Sequence, residues 1–127
     1  MRINSATELE VYRMAYTLAM DIFEISKQCP KEEIYSLTSQ IRRSSRSVCL
    51  NLREAWSKRR DEAHFISKLT DCDGENSETE TSLCFASDCD YLADKDFQSL
   101  TEMNRSIGRM LGSMLNNPTP FLIKTSR

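Results

Sequence analysis

Glycine and proline are scarce, three of each in 127 residues, and histidine occurs once. So few turn formers exclude an all-β sandwich or barrel, whose short strands need a turn signal roughly every 8–12 residues. A single histidine excludes the di-iron carboxylate bundle, which needs Glu-x-x-His on paired helices. Apolar runs stop after a few residues, far short of the roughly 20 that cross a bilayer, so no membrane partner is expected. The opening stretch Met1–Glu8 lacks an apolar h-region, and no secretory signal is expected there. None of the five cysteines (Cys29, Cys49, Cys72, Cys84, Cys89) forms a C-x-x-C pair. They read as small buried hydrophobes in a reducing, cytoplasmic setting where disulfides are disfavoured. A metal site of Cys84, Cys89 and His64 is the weaker reading. Zincin, P-loop, Gly-rich nucleotide and nucleophile-elbow motifs are also missing. Neither an enzyme nor a cofactor is expected.

What remains is helical. Val11, Ala15, Leu18, Ile22, Ile25 and Cys29 recur at steps of three and four, the signature of one helical face. Tyr12, Tyr16, Ala19 and Phe23 widen it into the broad stripe of a bundle helix. A second helix follows Pro30, with Ile34, Leu37, Ile41, Val48, Leu52 and Ala55 as its seam and Ser44 and Ser45 as a small-residue window. Asp61 can cap a third, with seam Phe65, Leu69, Cys72, Asn76, Thr79, Leu83 and Ala86. Asp94 can cap a fourth, carrying Phe97, Leu100, Met103 or Asn104, Ile107, Met110, Leu111 and Met114, with Gly108 and Gly112 allowing close packing. The fold class is therefore all-α, an antiparallel up-and-down four-helix bundle over residues 1–116. Its helices are expected at about 5–29, 32–58, 61–91 and 94–116, followed by a non-helical tail, 117–127. The apolar triplet Phe121-Leu122-Ile123 in that tail is expected to dock, either on its own bundle or on a neighbouring subunit.

Charge is strongly partitioned. Between Ser36 and Arg60 seven basic residues face one acid, a net of +6; between Asp61 and Asp96 eleven acids face two lysines, a net of −9. The whole chain carries only −2, so a basic coat for nucleic acid is excluded. Two readings of the blocks compete. In the first, basic and acidic helices pair, within a chain or across a subunit boundary; Arg42 or Arg43, with Gln40, would then meet Glu75 and Glu78. Asp71, Glu75 and Glu78 also lie where some carboxylates approach the interior, and a buried carboxylate demands a partner. In the second, Arg42, Arg46, Arg53, Lys58, Arg59 and Arg60 form a surface for the phosphates of RNA or DNA. The abundance of acid nearby favours the first.

The segment Leu9-Glu10-Val11-Tyr12, the run Cys29-Pro30 through Glu33, Tyr35, Leu37 and Gln40-Ile41-Arg42-Arg43-Ser44, and Ser47-Val48-Cys49-Leu50-Asn51-Leu52-Arg53-Glu54-Ala55 form a recognisable series. Phe65-Ile66-Ser67-Lys68-Leu69, Gly74 with Glu78, and Asp90-Tyr91-Leu92 continue it. Over residues 9–115 the chain resembles the bacterial 23S rRNA intervening-sequence proteins, also called the S23 ribosomal protein family. It departs from them at Cys29 (Phe in the family), Ala55 (Gly) and Asp90 (Gly). The resemblance implies an up-and-down bundle that assembles with itself, as a ring of five. It extends distantly to the accessory variability determinants of diversity-generating retroelements, whose basic surface engages nucleic acid. The expected role is a non-enzymatic homo-oligomeric scaffold or adaptor; the alternative is a nucleic-acid-binding accessory protein acting through the basic second helix.

Overall fold

The computed structural model describes residues 3–123. Four α-helices follow one another: α1 (Glu10–Ile25), α2 (Leu37–Ser57), α3 (Glu62–Asp88) and α4 (Asp94–Asn116). Each packs on its neighbour in sequence, and α4 returns to α1, closing an up-and-down bundle with its most extensive seam between α2 and α3.

The core is made by the periodic seams. Ile22, Leu52, Phe65, Leu69, Leu83, Ile107 and Leu111 are fully enclosed, and every seam position of α3, its polar ones included, is buried. Ser44 and Thr79 meet at the α2–α3 contact, Oγ1 of Thr79 lying 2.9 Å from Oγ of Ser44, so the small residues of α2 do admit a close neighbour. Of the two α4 glycines only Gly108 makes a close approach, to Asn76 of α3; around Gly112 there is open space.

The ends differ from the periodic pattern where side chains compete for the backbone. Residues Ala6–Glu8 form a separate 3₁₀ turn closed by a Ser5–Glu8 capping box, and extended Leu9 separates it from α1. α1 stops at Ile25 and tightens into a 3₁₀ turn, Ser26–Gln28. The largest difference is α2, which starts at Leu37 instead of near residue 32. Pro30 leads into a 3₁₀ turn, Lys31–Glu33, and the Glu33 carboxylate then accepts from the Ser36 hydroxyl (2.6 Å) and the Leu37 N–H (3.4 Å). Ile34 is consequently half exposed and no part of the seam. Asp61 caps α3, accepting from the His64 N–H at 3.2 Å. The N-cap of α4, by contrast, is Ala93, and Asp94 lies inside the first turn, where its charge still suits the helix dipole.

α3 ends at Asp88, and Asp90 takes φ 62°, the left-handed conformation in which a glycine is least strained. This is one of the three positions where the chain departs from the family's glycine or phenylalanine. The turn is retained with aspartate, which tolerates that region better than most residues. Asp90→Gly is therefore expected to raise stability by about 0.5–1 kcal/mol, read as a higher denaturation midpoint; a lower midpoint would show that the Asp90 side chain holds the turn. Ala55 lies inside the last turn of α2 and is buried, so a small side chain is required there on packing grounds.

The tail is not wholly non-helical. Thr119–Phe121 forms a 3₁₀ turn, Phe121 stacks on Phe65 with centroids 6.4 Å apart, and the Ile123 N–H donates to the Arg59 carbonyl at 3.1 Å. The triplet thus docks on its own bundle. Residues 124–127 of the expected tail lie outside the described residues.

Candidate functional site

Residues 42 and 43 are one step, and so about 100°, apart on α2, so they face different neighbours. Arg43 faces α3. Its guanidinium reaches Glu75 at 2.9 Å and Glu78 at 2.5 Å, and Gln40 donates to Glu78 at 2.9 Å. Gln40 and Arg43 together hold the Glu78 carboxyl below its usual range, the amide having the larger effect. Arg42 turns the other way and joins neither carboxylate. Its Nε donates to Ser26 Oγ at 2.7 Å, and its guanidinium lies 4.8 Å from the Phe23 ring centroid. Asp71 also stays outside the interior, exposed and, among the described residues, paired only with Lys68 at 3.6 Å.

Arg43→Ala is expected to lose about 1 kcal/mol, since its partners are only partly shielded, and to lower the thermal midpoint by a few degrees. An unchanged midpoint would contradict the pairing. The acid limb carries a second signature. The carboxyls of Glu78 and Glu33 are both depressed, Glu33 by the hydroxyls of Ser36 and Tyr91. A depressed carboxyl stabilises the fold above its unfolded pKa and loses that contribution as pH falls through the folded value. The midpoint should therefore fall as pH is lowered from about 5 to about 3, with a shallower fall in Arg43→Ala.

Within one chain, then, the two charge blocks pair sparsely. Among the described residues Arg43 is the only arginine of α2 in an ion pair with α3; Lys68 reaches back to Glu54 at 3.0 Å, and Arg105 meets Glu80 at 3.3 Å. Arg46 stands 5.6 Å from the Phe23 ring on the α1 side and is exposed, as is Arg53. Lys58 and Arg60 are exposed in the α2–α3 turn. Arg59 is folded back onto Trp56, 3.7 Å from the ring, with its Nε donating to the Trp56 carbonyl; burial lowers its pKa.

Between α1 and α2 these arginines border an apolar groove of about 320 Å³, floored by Tyr12, Tyr16, Ala19, Met20, Cys49 and Leu50 with Arg46 and Arg53 at its edges. Tyr16 is 55% exposed and Leu50 65%. The surface continues over Ile34 and Tyr35, the latter 94% exposed. Single exposed apolar residues are ordinary, but a contiguous patch bordered by charge marks an interaction surface. Sequence periodicity assigned Tyr16 to the buried stripe and passed over Leu50. The available signal was that Leu50 is a large apolar residue on the outer side of a helix whose seam runs through Val48 and Leu52.

Chemically the face can bury apolar surface and attract anions. Burial pushes the Cys49 thiol up to about 11, which keeps it un-ionised and unreactive at neutral pH. Among the described residues no group of three or more His, Cys, Asp or Glu is placed to hold a metal ion, and no helix is long and apolar enough to cross a membrane.

The architecture defines an all-α protein of the up-and-down four-helix-bundle class. More particularly, the chain belongs to the 23S rRNA-intervening sequence protein family, whose model matches residues 7–113. It is similar to a solved protein of unknown function from the S23 ribosomal protein family of Bacteroides thetaiotaomicron. The two share 27% identity with a TM-score of 0.76, over 84% of this chain and 96% of that one. No curated protein matches the chain significantly.

Proposed function

We propose that the protein is a non-enzymatic, cytoplasmic scaffold or adaptor that assembles with itself through the α1–α2 face, as a ring of five, and offers its remaining faces to a partner protein. The observation that carries this reading is the exposed apolar groove itself. Tyr16, Met20 and Leu50 lie on the outside of a bundle whose core is already complete, where burial between subunits would be worth about 25 cal/mol per Å² of apolar area. Light scattering coupled to size exclusion tests it: a mass near five times 14.7 kDa is expected, and a monomer at all concentrations would refute it.

A second reading rests on Arg46, Arg53, Lys58 and Arg60, which are exposed and have no carboxylate partner among the described residues. These cations suit the phosphates of RNA or DNA, and repetition of the patch in an oligomer would add avidity. Arg42 and Arg59 are less available, being folded over Phe23 and Trp56. Binding to labelled RNA at low salt that falls steeply as salt rises supports it; no binding at low salt rejects it.

A further inference from the structure

We infer that the arginine-bordered α1–α2 groove is covered by the α4–α1 face of a second copy of this chain, in a head-to-tail contact. The inference rests on the self-assembly proposed above and says which surfaces meet.

A two-fold contact through the groove face would set Arg46 and Arg53 of one copy against those of the other, and juxtaposed like charge disfavours that arrangement. The occupant must bring acid. On the other side of α1, Asp21, Glu24 and Asp96 rim a shallow depression floored by Ile25 and Leu100, and Asp21 and Asp96 take part in no ion pair among the described residues. Glu24 holds only Lys27, at 3.2 Å on the exposed surface. At the far end of the same seam Glu10 borders a depression containing Val11 and Met110.

The levels along the bundle agree. Arg42 and Arg46 both stand at Phe23 of α1, level with Asp21 and Glu24. Arg53 lies beside Tyr12 in the groove, level with Glu10. Between these charged ends the groove's Tyr16 and Met20 correspond to the half-buried Met14 and Met103, each two helical turns from Asp21 and Asp96 and so on the same face, and methionine adapts readily to an opposing apolar surface. A rotation about an axis parallel to the bundle therefore brings arginine to carboxylate at both ends and apolar to apolar in the middle. The two faces share α1 and are adjacent, so repeating the contact turns a corner at each copy, as a closed ring requires; opposite faces would propagate a filament.

Charge reversal separates this arrangement from others. Two double variants are made at exposed positions, Arg46→Glu with Arg53→Glu on the groove face and Asp21→Arg with Glu24→Arg on the acidic face. Each is checked for unchanged helical circular dichroism and weighed by light scattering. Each alone is expected to fall to 14.7 kDa, and their equimolar mixture to recover complexes containing both chains, because each reversed face then meets its opposite. If the Asp21/Glu24 variant alone keeps the wild-type mass, or the mixture stays monomeric, the head-to-tail pairing is overturned while self-assembly stands. A monomeric wild-type chain would overturn both.

Discussion

Asn104→Ala is expected to lose about 2–4 kcal/mol, because it combines a core cavity with stranded hydrogen-bonding groups. Asn104 is 1% exposed and Asn76 6%, and the two clasp α4 to α3. The Asn76 amide donates to the Asn104 side-chain oxygen at 2.8 Å and to its carbonyl at 3.1 Å, while the Asn104 amide donates to the Asn76 carbonyl at 3.0 Å. Sliding one helix by a turn, about 5.4 Å, would leave both amides unpaired in the core, so the clasp fixes axial register. A fall in the urea midpoint with an unchanged slope is the expected readout. Gly108 supplies an internal control. A methyl group there would lie 2.9 Å from Oδ1 of Asn76. Helix propensity alone favours Gly108→Ala by about 1 kcal/mol, yet with Asn76 held in place the substitution should destabilise. Combined with Asn76→Ala it should stabilise. A stabilising Gly108→Ala in the wild-type chain would show that the clasp is slack.

Phe65→Ala should have the largest effect of any single truncation, about 3–5 kcal/mol. The ring is fully buried at the start of α3 and also carries the docked tail through Phe121. Phe121 is only half buried, so Phe121→Ala should lose less, about 1–2 kcal/mol. Because the rings are in contact, the double variant should lose less than the sum. Strict additivity in urea denaturation would mean that the tail contributes nothing through this stack.

The bundle was legible because its four seams repeat at helical spacing over long segments, and even the polar seam positions Asn76 and Thr79 fell inside the core as their register demanded. The start of α2 was not, since a competing carboxylate, Glu33, decides it through contacts to Ser36 and Leu37 that no apolar periodicity records. Arg43 with Glu75, Glu78 and Gln40 followed from the height of residues on antiparallel helices. Whether Arg42 or Arg43 would be the one facing α3 depends on a single step of helical rotation, which the pattern of apolar residues leaves open. The groove was hidden for a related reason: Tyr16 belongs to the wide stripe by spacing, and only the packing of α1 against α2 shows that this edge of the stripe stays outside.

In the proposed assembly, copies of the chain meet at the apolar α1–α2 face. The most direct test compares Leu50→Glu with Phe85→Glu by light scattering. Both side chains are large, apolar and more than half exposed, Leu50 at 65% and Phe85 at 59%, but Leu50 lies in the groove and Phe85 on α3. Loss of assembly in Leu50→Glu alone, with Phe85→Glu keeping the wild-type mass, is the predicted result. An assembled Leu50→Glu protein would contradict the account.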